Sequence, residues 1–307
     1  MSVQLPIVAI VGPTASGKTS LSVELAEALG GEVINTDAMA LYRGMDIGTA
    51  KPTAAERRAV PHHLLDTLTV REPASVAEFQ GWARGLVTEL RARGTTPVLC
   101  GGSALYTRAI VDRFDFPGTD PDVRARLEAE LEADGTASLF ARLRELDPVS
   151  GERIEPDNGR RIVRALEVIE LTGKPFSARL PVQEYADPDT LQIGVMIERE
   201  ELDARIEARV QRMFDDGLVA EVERLLAEGL AEGRTASVAI GYRQVMAHLR
   251  GDLTLAEAQE RTVAATRKFA RRQMAWWRGD ERIGWVRYDD PDRVAKALAA
   301  VRAFAVR

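Results

Sequence analysis

Residues 6–19 read PIVAIVGPTASGKT, and no other stretch narrows the possible folds so far. An apolar run from Pro6 to Val11 leads into Gly12-Pro13-Thr14-Ala15-Ser16-Gly17-Lys18-Thr19, which fits the phosphate-loop pattern G-x-x-x-x-G-K-[ST]. Small residues let backbone N–H groups curl around an anionic oxygen, and the helix after the loop turns its positive end toward the same point. Lys18 can then reach an outer phosphate, and the Thr19 hydroxyl is placed to ligate Mg²⁺. The context agrees: the run before the loop is strand-like, and Leu21, Leu25, Ala28 and Leu29 fall on one side of a helix after it. Kinases, GTPases, ATPases and transferases all use such a loop, so it fixes a phosphorylated ligand without fixing the reaction.

Later segments extend this start into an α/β pattern. Glu32 to Asn35 reads as a second strand ending at Asp37, and Ala38 to Pro52 as a long loop of mixed composition, a kind more often functional than filler. Val60 to Asp66 looks like another strand entry. Ser75 to Arg93 is helical, with Ser75 and Glu78 spaced as a capping box, and Pro97 to Cys100 is a buried-type strand stopping at Gly101-Gly102-Ser103. Strand–helix alternation of this kind predicts a phosphate-loop parallel sheet flanked by helices, its site built by loops at the carboxyl ends of the strands.

The texture changes after Asp112. Asp115 to Pro121 is turn-rich, and the next stretch is helical and dense in charge. Asp120-Pro121 marks one helix start; Asp157 precedes a periodic run to Leu171, with Gly173 as its stop. Residues 115–185 therefore read as an all-α insertion, with 1–114 and 186–307 as the core. Leu191, Ile193, Val195 and Ile197 alternate as a strand returning to the sheet; from Glu201 the chain reads as helical almost to its end, broken near 229–233 and at Gly251.

With 307 residues the chain exceeds the usual size of a single core, as the insertion requires. Its longest apolar runs are strand-sized, so no membrane span is expected. No signal peptide is evident ahead of the first strand, and the lone Cys100 excludes an internal disulfide or a cysteine-based zinc site. These features point to the cytoplasm. The net charge of −6 argues against generic polyanion binding, so any nucleic-acid surface must be local.

One such local surface is visible. Residues 261–278 hold six Arg/Lys and no acidic residue, with Trp276 and Trp277 beside Arg267, Lys268, Arg271, Arg272 and Arg278. Cations meet phosphates and flat rings stack on unpaired bases, which suits RNA; a solvated helix face with the tryptophans in the core fits the composition equally. Arg160, Arg161 and Arg164 form a smaller basic group on the insertion. Asp37 can hold Mg²⁺, accept a proton from a nucleophile, or cap its own turn. Adjacent His62 and His63 point apart and lack ligand spacing, so they are not read as a metal site; Cys100 reads as packing.

Together these blocks resemble a known family. GPTASGKT (12–19), TDAMALYRGMDIGTAKP (36–52), VPHHLLD (60–66), GGSALY (101–106), RRIVRALEV (160–168), GYRQ (241–244) and TRKFARRQMAWWR (266–278) are similar, in order and across nearly the whole chain, to the bacterial tRNA dimethylallyltransferases. The resemblance implies transfer of the five-carbon group of dimethylallyl diphosphate to the N6 amine of the adenosine 3′ of the anticodon of tRNA, with release of diphosphate. It assigns the donor's diphosphate to Gly12, Pro13, Thr14, Ala15, Ser16, Gly17, Lys18 and Thr19, with Mg²⁺ at Thr19 and Arg209 gripping from the other side. Lys18, Arg209 and Asp37 become the catalytic set, Asp37 taking the amine's proton. The implied tRNA-contacting positions are Asp37, Ala38, Met39, Ala40, Ser103, Arg124, Arg160, Arg161, Ile162, Val163, Arg164, Arg243, Thr266, Arg267, Arg271, Arg272 and Gln273. A monomer that binds the tRNA anticodon stem-loop is expected. Departures exist: Ala38 and Ala40 stand where relatives often carry Ser and Gln, and Val238 where they carry a base. Three rivals share the loop: a prenyltransferase acting on free adenine nucleotides, a small-molecule kinase using ATP, and a non-catalytic RNA-binding phosphate-loop protein. The first would not need the basic blocks. Against the second, the chain shows no hydrophobic run ending in a Walker-B aspartate downstream and no matching arginine-rich lid. The third would be favoured if Asp37→Ala left all activity unchanged.

Overall fold

The structure is a computed structural model that describes residues 4–114, 116–179 and 183–305. The chain forms two compact units, one of Met1–Val111 with Asp187–Arg307 and the other of Asp112–Ala186. Asp115, at the start of the turn-rich junction, lies outside the described residues.

The larger unit is built on β1 (Ile7–Val11), and every residue of that strand is buried. Such a run belongs in the middle of a parallel sheet covered on both faces. The sheet runs β3-β2-β4-β1-β5-β6, with β2 at Gly31–Asn35, β3 at His62–His63, β4 at Thr96–Cys100, β5 at Thr190–Met196 and β6 at Ile283–Arg287. All its pairings are parallel; Val8 sits opposite Val98 on one side and Leu191 on the other. Val8 and Ile10, with Val33, Val98, Ile193 and Val195, pack against α1 (Lys18–Leu29) and α13 (Arg293–Ala305). The remaining helices of this unit are α2 (Ala54–Arg57), α3 (Val76–Ala92), α4 (Ala104–Val111), α9 (Arg199–Asp215), α10 (Leu218–Ala227), α11 (Tyr242–Leu249) and α12 (Leu255–Arg278). Ser75 caps α3 by accepting from the Glu78 N–H. Ala15 packs with Ile206 and Val210 of α9 and Ala270 of α12, so both helices are fixed beside the phosphate loop.

Two elements differ from the sequence reading. The strand entry at 60–66 contributes only His62 and His63 to the sheet, because Leu64 and Asp66 adopt left-handed backbone conformations that end the pairing. The C-terminal region is not helical throughout: Ile283–Arg287 pairs with β5 as the edge strand β6, a five-residue segment too short to declare itself between two helices.

The smaller unit is helical: α5 (Pro121–Asp134), α6 (Thr136–Leu146), α7 (Pro148–Arg153) and α8 (Gly159–Thr172). Asp120 caps α5, while α8 is capped by Asn158 rather than Asp157 and stopped by Gly173 at φ +64°. Leu127, Leu139, Leu143, Ile162, Val163 and Leu166 form its core. Beside that core the carboxylate of Glu167, fully buried, is held by the guanidinium groups of Arg124 and Arg164. Arg164 also donates to the Pro117 and Gly118 carbonyls, at 2.7 and 3.1 Å.

Removing one member of a buried ion network leaves its partners uncompensated. We expect Glu167→Ala to destabilise the smaller unit by about 3 kcal/mol, the low end for such a loss because both arginines keep some solvent. Hydrogen exchange should show lost protection in α5 and α8, with the sheet unchanged.

Candidate active site

The phosphate loop joins β1 to α1, and its glycines are required by geometry. Gly12 has φ +142° and a Cβ there would lie 3.0 Å from the Val195 carbonyl; Gly17 has φ +90°. Ala15 takes φ +63°, an uncommon conformation for a residue with a side chain, and together with Ala50 and Asp66 it puts strained backbone next to a single cavity. The loop is held by neighbours: Arg205 donates to the Ala15 carbonyl at 2.9 Å, and the Thr14 N–H donates to Gln273 Oε1 at 2.9 Å.

That cavity, about 750 Å³, lies at the carboxyl ends of the strands. Thr14, Ala15, Gly17, Lys18 and Thr19 line it from the loop, Asp37 and Ala40 from beyond β2, Gly101 and Gly102 from beyond β4, and Arg209 and Arg212 from α9. Lys18 is 8% exposed, and its ammonium donates to the Pro13 carbonyl at 2.5 Å. Its pKa is lowered to about 8, chiefly by burial and in part by the Arg209 charge, while Cys100 and Asp37 pull upward. The Arg209 guanidinium is likewise lowered, first by burial and then by Arg205 and Arg212. Cationic groups crowded at one wall are the electrostatic condition for holding a polyanion. The Ser16 hydroxyl is buried with no partner among the described residues, which fits a loop whose donors are meant for a ligand's oxygens.

Asp37 lies two residues past β2. Asn35 clasps its turn, donating to the carbonyls of Asp37 and Leu64 and accepting from the Asp37 N–H, each at 2.9 Å. The Met39 N–H donates to Asp37 Oδ1 at 2.9 Å, so the carboxylate caps the 3-10 turn Met39–Leu41 as well as facing the cavity. Burial raises its pKa, and the N–H groups of Met39 and Ala40 and the Lys18 charge only partly oppose that. A carboxylate raised in this way is a better proton acceptor than one in water. Cys100 also lines the cavity and packs on the sheet core, its thiol pushed up by burial.

The other expected residues separate into groups. Gln273 is buried, and its carboxamide belongs to the phosphate loop through Thr14; its Nε2 has no partner among the described residues. On α12, Arg271 and Arg272 are exposed, Arg267 is tied to Glu207 at 2.7 Å, and Thr266 bonds its own helix at the Thr262 carbonyl. Trp277 is buried, as expected of a core tryptophan, while Trp276 is 57% exposed. Arg243 is exposed on α11; Ser103 is half-buried just ahead of α4; Ala38 and Met39 are half-buried. In the smaller unit Arg160 and Arg161 are exposed at the start of α8, Ile162 and Val163 are core, and Arg124 and Arg164 are held by Glu167. His62 lines the cavity, its Nδ1 2.9 Å from the Val60 carbonyl, and His63 pairs with Glu32 at 2.6 Å. Among the described residues no group of three or more His, Cys, Asp or Glu is placed to hold a metal ion.

A parallel sheet with a phosphate loop, and with Lys18, Arg209 and a carboxylate lining one cavity, defines a phosphate-loop protein suited to a phosphorylated ligand. A family profile described as IPP transferase matches residues 40–280. The chain is 67% identical to a tRNA dimethylallyltransferase of Nocardioides sp. over 298 residues, covering 97% of this chain and 96% of that protein. It is 57% identical to the tRNA dimethylallyltransferase of Streptomyces coelicolor, covering 94% and 92% of the two chains. The crystal structure of a tRNA isopentenylpyrophosphate transferase from Bacillus halodurans aligns at TM-score 0.72 and 40% identity, over 99% and 96% of the chains. A eukaryotic dimethylallyltransferase solved acting on tRNA aligns at TM-score 0.77 and 25% identity, over 95% of this chain and 77% of that one. The chain belongs to the IPP transferase family, the family of these tRNA dimethylallyltransferases.

The lowered pKa of Lys18 gives a signed expectation. Below about pH 8 the free protein presents a charged ammonium; above it the group is neutral, and a bound polyanion must restore the proton. Inorganic diphosphate binding should weaken by up to about tenfold between pH 7 and pH 9, with proton uptake in calorimetry. The Lys18→Arg variant keeps its charge and isolates the effect from titration of diphosphate itself; an identical pH dependence in both proteins would contradict the assignment.

Proposed function

We propose that this enzyme transfers the dimethylallyl group of dimethylallyl diphosphate to the exocyclic N6 amine of the adenosine next to the anticodon of tRNA, on its 3′ side. The observation that carries the reading is the meeting of Lys18, Arg209 and Asp37 in one cavity, in a chain whose relatives bear the name tRNA dimethylallyltransferase.

In this reading the phosphate loop binds the diphosphate of the allyl donor. The allyl C–O bond breaks with its electron pair leaving on the diphosphate oxygen, and the N6 lone pair forms the new C–N bond. Lys18 and Arg209 are fixed cations aimed at the charge that grows on the leaving group, and removing one such group commonly costs about 3–4 kcal/mol in other enzymes. Asp37 accepts the proton that the amine loses. The adenine enters from an unpaired loop, so little pairing energy is spent in bringing it to the cavity.

Mg²⁺ fits this donor set. Thr19 offers a hard oxygen at the cavity wall and carboxylates approach singly, which suits an ion that keeps waters and takes substrate phosphate oxygens as ligands. When bound, Mg²⁺ would neutralise part of the diphosphate charge.

For tRNA, the exposed Arg271 and Arg272 of α12, Arg243, and Arg160 and Arg161 of the helical unit supply cations. The turn at 37–40 would meet the base to be modified. Ile162 and Val163 would act by shaping α8, and Arg124 and Arg164 by keeping it in place. We take the working form to be a cytoplasmic monomer, with the larger unit carrying the chemistry and the helical unit contributing to tRNA binding.

Mass analysis of tRNA digested after incubation with the protein, Mg²⁺ and dimethylallyl diphosphate should show one added five-carbon unit on that adenosine. Free AMP should remain unmodified. Asp37→Ala should reduce turnover at least 10²-fold, the low end for a general base, with tRNA affinity kept within about threefold. A variant within about threefold of the wild-type rate would remove Asp37 from the proton-transfer role.

A further inference from the structure

Asp46, Ile47, Thr49, Ala50, Lys51 and Pro52 line the cavity from a stretch without regular secondary structure, and that stretch is held from a distance in sequence. Glu221, on α10, is 7% exposed, and its carboxylate accepts the backbone N–H groups of Asp46 (3.1 Å), Ile47 (2.8 Å) and Gly48 (3.2 Å). Its fourth donor is the hydroxyl of Tyr242, the first residue of α11, at 2.6 Å. The Tyr242 ring lies close against the turn, since a Cβ on Gly48 would fall 2.4–2.8 Å from its atoms. A near-buried carboxylate is costly unless each lone pair is used, and here three consecutive N–H groups and a phenol use them.

The turn transmits this anchorage to the site. Its last residue, Lys51, is buried, and the ammonium donates to Asp46 Oδ1 (2.8 Å), Asp66 Oδ1 (2.6 Å) and the Tyr42 carbonyl. Asp66 in turn donates its N–H to the Ala40 carbonyl, and the carbonyl of Leu64, two residues earlier, accepts from Asn35, the residue that clasps Asp37. Glu221 is therefore linked to the Asp37 segment by hydrogen bonds joined through short stretches of backbone. The phosphate loop is held separately, by Arg205 and Gln273.

We propose that Glu221, with Tyr242, is a positioning residue for the transfer reaction: it fixes the 46–51 turn and through it the segment that bears Asp37, without touching the diphosphate. This rests on the reaction proposed above. The split between two supports has a kinetic consequence. Loosening the turn displaces the proton acceptor while the loop goes on binding its anion, and misplacement by about 1 Å can cost as much as 10²-fold in rate.

The test compares wild type, Glu221→Gln and Tyr242→Phe. Glu221→Gln keeps the volume but turns an NH₂ toward donors that need an acceptor; Tyr242→Phe keeps the ring against Gly48 and removes one donor. For Glu221→Gln we expect faster hydrogen exchange at residues 44–52 and kcat at least tenfold lower, with inorganic diphosphate affinity within twofold of wild type. Tyr242→Phe should shift in the same direction by a smaller factor. Unchanged exchange at 44–52 would overturn the proposal, as would kcat within twofold of wild type, or diphosphate affinity falling in step with kcat. If wild type transfers no prenyl group, the proposed reaction fails instead, and the exchange measurement still decides whether Glu221 holds the turn.

Discussion

The structure depends on keeping positive charge at the carboxyl edge of a parallel sheet, where little water reaches it. A buried ammonium loses hydration that neighbouring protein dipoles replace only in part, which is why Lys18 gives up its proton more easily than a lysine in solution. Arg209 is under the same pressure, from burial first and then from Arg205 and Arg212. A polyanion entering the cavity would relieve both, and in the proposed reaction the leaving group's charge would grow beside these same cations. The remaining architecture serves this arrangement. The fully buried β1 places the loop, α9 brings Arg209 and Arg212 to the same cavity, and left-handed Ala15 together with Gly12 and Gly17 lets the backbone turn tightly enough to form the cradle.

Placing a carboxylate beside such cations is the second requirement, and the two charges are treated differently. Asp37 is raised by burial, yet its turn is fastened by Asn35 and its Oδ1 receives the Met39 N–H, so the carboxylate is oriented by neutral donors. The same residue thus caps a turn and lines the cavity. These roles are compatible, because a carboxylate has more lone pairs than one N–H can occupy.

Much of this was legible in the sequence, for physical reasons that also explain the gaps. The phosphate loop, the strands at 7–11, 31–35, 96–100 and 190–196, and the position of Asp37 all arise from local pattern: apolar runs, a glycine spacing, a turn after a strand. The long loop after β2 could be marked as functional, but its anchor could not, since Glu221 lies 175 residues from Asp46 and resembles any other acidic residue of an amphipathic helix. Gln273 carries the same lesson, reading as part of a basic surface block while its carboxamide supports Thr14 from 259 residues away. Arg124 and Arg164 read as free cations until Glu167, itself hidden in a helical run, is seen to hold both. Edge strand β6 escaped because its pairing partner, not its own five residues, makes it a strand.

The most direct measurement is a structure of the protein with an anticodon stem-loop and an unreactive analogue of dimethylallyl diphosphate. The analogue's diphosphate should lie in the loop between Lys18 and Arg209, with the adenine N6 within hydrogen-bonding reach of the Asp37 carboxylate, about 2.6–3.2 Å. A loop that rejects the analogue and holds ATP, or an adenine seated away from Asp37, would contradict this mechanism.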